Sequence, residues 1–310
     1  MTGAHRWAER YDLELHDVYV VQDEVVGAIV AILAAHVNRA ETERTLLKPP
    51  ADWQAYDYYL RGAEAFFLHQ NRRTKASLYE ARRLLEQSLA IEPDYARAAA
   101  MLSWTHFHAY FEPFDDDYLS PAVLDRALEL AETAVHLDRL LPQVHTQLGH
   151  VLLYKRRHDD ALAEFERALA LNPNFFDYRY ARALTYAGEP ARAIEVLKAN
   201  IRLDPFQRNV VGFTAMIGYA NYMLKRYREA VRLLRECASR LPNLQWPHLW
   251  LAAAYAQSGQ LEEARKEVAE VLRVNPGFTI GSWKRLAVYK DPKDAEHHID
   301  GSRKAGLPEG

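Results

Sequence analysis

Apolar residues recur at three- and four-residue spacings along most of this chain, and the pattern breaks at regular places. The clearest instance is residues 142–175, PQVHTQLGHVLLYKRRHDDALAEFERALALNPNF, a unit of 34 residues. With Pro142 as position 1, Leu148 and Gly149 stand at 7 and 8, Ala161 at 20, Phe165 at 24, Ala168 at 27 and Pro173 at 32. The spacing predicts two amphipathic helices separated near KRRHD. Small residues at 8, 20 and 27 let the two helices approach closely, and large ones fill the space between units. Pro173 cannot continue a helix and pushes Asn172 out of helical geometry.

The same pattern runs through residues 51–278, giving about six units. The first, near 55–95, has Tyr58 and Gly62, then Ala81, Leu85 and Pro93. Its spacing from Gly62 to Ala81 is 19 residues against 12 in the regular unit, which predicts a longer first helix or a longer turn. The second, 96–141, has Leu102, Ser103, Ala127, Ala131 and Ala134, with Arg139 where the closing proline would stand. Its insertion, residues 110–121, is a loop with two prolines and the run Asp115-Asp116-Asp117. The fourth unit ends at Pro205. The fifth has Gly218, Tyr227, Ala230, Leu234 and Pro242. The sixth, 245–278, has Leu251, Ala252, Tyr255, Gly259, Ala264, Val268 and Pro276.

This pattern resembles the tetratricopeptide repeat. The resemblance implies an all-α, right-handed superhelical solenoid whose concave face is lined by the first helix of each unit. Residues 279–310, with the helical SWKRLAVYK, the break Asp291-Pro292 and a polar helix before Gly306, read as capping helices that close the last apolar surface.

The first 50 residues read differently. HRWAERY at 5–11 alternates loosely, as a strand would. A helical stripe of Val21, Val25, Ile29, Ile32, Leu33 and Val37 follows and stops at Pro49 and Pro50. Residues 2–26 resemble the closing segment of a TolB-like α/β domain, which implies a short strand-and-helix remnant of such a domain over 1–50. On that reading Met1 would lie inside an older, longer architecture. The run GAIVAILAAHV at 27–37 is shorter than the roughly 20 apolar residues of a membrane span. The polar MTGAHRWAERYD lacks the apolar core and cleavage site of a signal peptide.

Composition adds limits. The chain has 310 residues, 49% hydrophobic and 26% charged, an ordinary globular balance. A net charge of −3 from 39 basic and 42 acidic residues gives no bulk basic excess for nucleic acid. One cysteine, Cys237, allows no internal disulfide, which suits a reducing, cytoplasmic setting. Its place at position 27 of a second helix predicts a buried, inert thiol.

Motifs for chemistry are missing from the sequence. It has no GxxxxGK[ST], no GxGxxG, no GxSxG, no HExxH and no cysteine pair. The histidine pairs His106/His108, His145/His150 and His297/His298 read as solvated or groove-lining side chains rather than metal ligands. The aspartate run lacks the later Gly and Glu of a calcium loop and reads as solvated surface. No cofactor, metal or catalytic residue is expected.

The concave face is the candidate binding site. The repeat register places there Arg97, Trp104, Phe107 and His108, then Thr146, His150 and Tyr154, then Tyr178, Arg179 and Arg182, then Tyr219, Tyr222 and Trp246. Aromatic residues and arginine carry much of the energy at interfaces. Arg179 and Arg182, three apart, are neighbours on one helix face and are candidates to clamp a carboxylate or phosphate. Position 9 holds Trp104, His150, Arg182 and Tyr219, unlike the Lys/Asn groove of tetratricopeptide domains that hold chaperone C-termini.

A narrower resemblance is carried by DYYLRGAEAFF at 57–67, SWTH at 103–106, EFERALALNPNF at 164–175 and YKDPKDAEHHIDGSRKAGLPE at 289–309. These are similar to the C-terminal part of bacterial class III adenylate cyclase-related proteins, which run from a catalytic or DNA-binding domain through a TolB-like domain to such repeats. The resemblance implies a regulatory module without the catalytic domain. The leading expectation is a non-enzymatic scaffold gripping a peptide or protein partner in its groove. Alternatives are a cyclase-associated subunit acting in trans and a small-molecule sensor using Arg179 and Arg182.

Overall fold

The computed structural model describes residues 54–72, 74–111, 120–173, 175, 177–203 and 210–310. The expected strand and helix over 1–50, the insertion with its aspartate run and the closing Pro205 lie outside the described residues. Within them are fourteen α-helices and no strand: α1 Ala55–Arg72, α2 Lys75–Ile91, α3 Ala96–Phe111, α4 Pro121–Leu137, α5 Pro142–Tyr154, α6 His158–Leu171, α7 Tyr178–Tyr186, α8 Pro190–Leu203, α9 Val210–Met223, α10 Tyr227–Arg240, α11 Gln245–Gln257, α12 Leu261–Val274, α13 Ile280–Leu286 and α14 Pro292–Lys304.

Each odd-numbered helix from α1 to α11 packs chiefly on the even-numbered helix after it, giving six hairpins. The odd helices also touch one another in sequence, α1 to α3 to α5 and on to α11, so they form an inner layer backed by the even helices. The extra residues of the first unit lengthen α1 to 18 residues.

Small residues set the hairpin spacing. A Cβ on Gly149 would lie 2.9 Å from the Ala161 carbonyl oxygen and 3.1 Å from the Phe165 ring. Ala161, Phe165 and Ala168 are buried opposite it. The outer helices are amphipathic: α10 buries Val231, Leu234 and Cys237 and exposes Arg232 and Glu236. The inner helices α9 and α11 are apolar on almost every side, and α11 is buried from Gln245 to Ala256. A helix apolar all round needs cover on all its faces.

The last thirty residues supply that cover. Backbone N–H groups of Ile280 and Gly281 at the start of α13 donate to the carbonyls of Pro308 and Glu309 at 2.8 and 2.9 Å, so the end of the chain caps this short helix. The helix expected through SWKRLAVYK stops at Leu286. Residues 288–290 then cross the inner layer without regular structure, and α14 lies against α11. A Cβ on Gly301 would come within 3.2 Å of the Ala253 side chain, so glycine permits this approach. The segment expected merely to cap the array thus folds back over its inner face. The physical reason is the large apolar area of α9 and α11, which the tail removes from water.

Candidate functional site

The C-terminal half of the inner surface is filled by the chain itself. Tyr219 and Tyr222 of α9 are 0% exposed. Tyr289 reaches between Tyr186 of α7, whose ring centroid lies 4.6 Å away, and Tyr219, whose hydroxyl it meets in a short hydrogen bond. The Tyr289 hydroxyl also lies 2.7 Å from Nδ1 of His298. Tyr222 donates to the carbonyl of His297 at 3.1 Å. Trp246 packs against Trp283 and against Phe111 of α3, at centroid separations of 5.7 and 5.1 Å. Tyr219, Tyr222 and Trp246, expected on an open wall, are therefore internal contacts.

Polar anchors fix the same segment. His158 donates from Nε2 to the carbonyl of Val288 at 2.6 Å. The Lys290 backbone N–H donates to the free carbonyl of Tyr186 at the end of α7, 2.8 Å away. Lys290 Nζ meets Asp159 at 2.6 Å. Arg285 donates to the carbonyl of Tyr110 at 2.7 Å. The C-terminal segment thus touches α3, α6, α7, α9 and α11.

Of the two arginines of α7 that were candidates for a clamp, Arg179 is bound up inside the protein. Arg179 is 4% exposed and its Nε donates to both carboxylate oxygens of Asp177 at 2.9 Å. Nη2 completes a short ion pair with the same carboxylate. Nη1 donates to Gln147 at 2.6 Å, and Gln147 donates to Ser103 Oγ at 2.9 Å, which in turn donates to the Ala127 carbonyl at 2.6 Å. Its guanidinium stacks on Trp104, 4.4 Å from the ring centre. Burial opposes ionisation of Asp177, but the charge and hydrogen bonds of Arg179 outweigh it and hold the carboxyl below its ordinary value. Arg179 is thus a saturated structural cation joining α7, α5 and α3.

Phe107, Thr146, His150 and Tyr154 are also buried. The His150 ring sits 4.2 Å from that of Phe107, and its Nδ1 is 3.4 Å from Arg179 Nη1. Burial, and then the charges of Arg179 and Arg182, drive the His150 pKa well below its ordinary value. The histidines read as solvated or groove-lining include His145, His150 and His298, all buried. His145 bridges Glu164 at 2.6 Å and the Arg139 carbonyl at 2.9 Å. Cys237 is buried, and burial pushes its thiol up to about 12. No group of three or more His, Cys, Asp or Glu suited to a metal occurs among the described residues.

What remains accessible is the N-terminal part of the inner layer. Arg97 is exposed, and Trp104, His108, Tyr178 and Arg182 are half-buried. The sequence reading missed Asp177, which neutralises Arg179, Gln147 and Ser103, which continue its hydrogen-bond chain, and Tyr289 and His298, which fill the C-terminal half. A usable signal for the second group was the all-round apolarity of α9 and α11.

Sequence-family models described as Tetratricopeptide repeat match residues 142–175 and 222–281. The fold is a tetratricopeptide-repeat solenoid. The chain is 37% identical over 160 residues to "Putative adenylate cyclase 3" of Rhizobium meliloti (strain 1021), a match covering 52% of this chain and 26% of that protein. It is 28% identical over 160 residues to "TPR repeat-containing protein YpiA" of Bacillus subtilis (strain 168), covering 51% and 37%. The matches therefore span well under half the length of these relatives. Among solved structures, the APC/C hetero-tetramer Cut9-Hcn1 superposes with a TM-score of 0.59 at 16% identity, over 89% of this chain and 49% of that one. The human IFIT1 dimer with m7Gppp-AAAA gives 0.60 at 17% identity, over 83% and 60%. These likenesses concern the fold alone. No helix among the described residues is long and apolar enough to cross a membrane.

Proposed function

We propose that this chain is a non-catalytic interaction scaffold that holds a peptide or protein partner on the N-terminal part of its inner face. The observation that carries this reading is a contrast along that face. Arg97, Trp104, His108, Tyr178 and Arg182 keep access to solvent, whereas the rings of Tyr219 and Tyr222 are covered by the chain's own tail. Aromatic side chains held on rigid helices lose little entropy on binding. No nucleic acid is expected as partner, and a cytoplasmic setting fits the single buried thiol. Affinity capture from the source cell tests the reading. Wild type recovers a partner, and Arg97→Glu, at an exposed position of the inner layer, reduces recovery while the melting temperature stays near wild type. Recovery unchanged by Arg97→Glu would place the interface elsewhere.

A second reading rests on the 37% identity to "Putative adenylate cyclase 3" over 160 residues. In it the scaffold regulates a cyclase catalytic protein in trans and makes no cyclic nucleotide itself. The purified chain with ATP and Mn²⁺ yields no cyclic AMP, and adding it to a cyclase from the same cell changes that enzyme's rate. Turnover by the chain alone removes the scaffold-only assignment, and an unchanged rate removes the regulatory one.

A further inference from the structure

Residues 280–310 close on themselves as well as on the solenoid. The N–H groups of Ile280 and Gly281 donate to the carbonyls of Pro308 and Glu309 at 2.8 and 2.9 Å, so the two ends of the segment meet. Arg303 of α14 donates to Glu309 at 2.6 Å. The rings of Trp283 on α13 and His298 on α14 stand 4.8 Å apart, and the Tyr289 hydroxyl lies 2.7 Å from Nδ1 of the same histidine. The result is one compact body of two short helices and the crossing between them. A single connection joins it to α12. That connection passes through the exposed pair Pro276-Gly277, where a Cβ on the glycine would meet no atom within 4 Å.

This body meets the inner face as a bound peptide would. His158 holds the Val288 carbonyl and the Tyr186 carbonyl takes the Lys290 N–H. Between those two bonds the Tyr289 ring enters a slot made by Tyr186 and Tyr219. Main-chain bonds that give affinity, around a side-chain pocket that gives choice, are the means by which extended peptides are recognised. Gln257 of α11 then donates to the His297 carbonyl at 3.3 Å and to Asp300 at 3.0 Å. The seam is not perfectly made. Trp283 Nε1 and His298 Nε2 are buried in it without a hydrogen-bond partner among the described residues. That offsets part of what the apolar contact gains. The face beneath carries Tyr219, Tyr222 and Trp246, whose rings pack directly on the body. Left bare, they would form an aromatic patch of the kind that marks interaction surfaces. Opening therefore calls for a replacement.

We infer that residues 280–310 are an autoinhibitory strap, a body that swings on Pro276-Gly277 and yields the inner face of α9 and α11 to a partner segment of its own kind, an extended stretch with a central tyrosine leading into a helix. The inference rests on the scaffold reading above for its partner, and extends that reading to the half of the groove that the chain keeps covered. Affinity for such a partner is lowered by the small fraction of molecules in which the strap is away, so whatever weakens the strap raises it.

Hydrogen exchange on the full chain, and anisotropy with a labelled peptide of residues 280–310, test this. Helices of seven and thirteen residues lose their protection once off the solenoid. Amides of α13 and α14 are therefore expected to exchange together, and faster than those of α9 and α11. Lys290→Glu reverses the surface contact with Asp159 and should speed that shared exchange about two- to fivefold, and adding Asp159→Lys should restore it. Tyr289→Ala weakens the chain's own strap, so the peptide should bind that variant about tenfold or more tighter than wild type. The same peptide carrying Tyr289→Ala should bind neither. Exchange in α13 and α14 no faster than in α9 and α11, or equal peptide affinity for wild type and Tyr289→Ala, overturns the strap. Wild-type dimers that the peptide disperses would make the occupant the strap of a second copy and overturn the assignment to a partner segment. Affinity capture that recovers nothing with either wild type or Tyr289→Ala removes the scaffold reading, while exchange and peptide binding decide the strap without it.

Discussion

His158, at the first position of α6, donates its Nε2 hydrogen to the carbonyl of Val288, 130 residues further along the chain, at 2.6 Å. The bond ties the third hairpin to a segment beyond the sixth. It sits beside the contact between the Lys290 N–H and the Tyr186 carbonyl, so two neighbouring backbone groups of the crossing segment are satisfied inside the solenoid. A stack of repeats ordinarily gains stability from neighbours only. Here the tail adds contacts between distant units, and unfolding should be more cooperative than in an open array.

Tyr289→Ala tests that coupling. The ring is buried between Tyr186, Tyr219 and His298. Removing it should cost about 3–5 kcal/mol, as for other large buried rings. His158→Phe keeps volume but leaves the Val288 carbonyl without its donor, at about 1–3 kcal/mol. Urea denaturation should show both losses. Two resolved transitions in Tyr289→Ala, in place of one in wild type, would mark the separation of the halves. Wild-type midpoints in both variants would mean that the tail is not a structural brace.

Arg179 and Asp177 invite a double-mutant cycle. Each single removal strands the other charge in a buried site, which costs about 3–5 kcal/mol. Replacing both, as Asp177→Ala with Arg179→Met, should cost clearly less than the sum of the two singles. Additive losses would show that the pair is not coupled. The result also bears on function: Arg179→Glu would damage the fold, so it cannot serve as a clean probe of binding.

Much of the architecture was readable because it depends on local spacing. Gly149, Ala161, Phe165 and Ala168 fall at positions where two helices must touch, and the structure places them there. The groove was less readable because its occupancy depends on residues far apart in sequence. Tyr219 and Tyr222 carry the residue types of an interface, but Tyr289 and His297 reach them only through the return of the tail. Arg179 was a candidate for a clamp because helical spacing pairs it with Arg182 and says nothing of Asp177, two residues away and outside the helix. Asp177 is the N-cap of α7, accepting from the Arg179 N–H at 3.0 Å, and it is the counter-ion as well.

Gly149→Leu and Gly301→Val separate the repeat packing from the tail packing. At Gly149 the new Cβ would meet backbone and a buried ring at 2.9–3.1 Å. Overpacking of this kind costs about 1–3 kcal/mol or more, and Ala161→Trp on the facing helix should be worse. At Gly301 the clash is with Tyr222 and Ala253, so Gly301→Val should loosen α14 from α9 and α11. Limited proteolysis should then release the C-terminal segment from Gly301→Val while the hairpins persist. A uniform loss of structure in both variants would contradict this division.

The histidines give the solenoid two opposed pH responses. Burial, and then the neighbouring His297, lowers His298 to about 3 from its ordinary 6.5. It is neutral when folded and takes up a proton on unfolding, so its contribution is intact above pH 6.5 and is lost as pH falls toward 3. His150 acts in the same sense. His145 acts in the other. Burial disfavours its charge, yet the hydrogen bonds to Glu164 and the Arg139 carbonyl, with the glutamate's charge, raise its pKa overall. Its contribution is complete below the unfolded value and is lost as pH rises through the raised folded one. Urea midpoints across this range should therefore fall on the acid side in wild type. His298→Gln, which keeps an acceptor for the Tyr289 hydroxyl, should flatten that acid slope. His145→Gln should be more destabilising at pH below 6.5 than at pH 8. A His298→Gln slope equal to wild type, or a His145→Gln penalty independent of pH, would show that these two rings do not set the pH response.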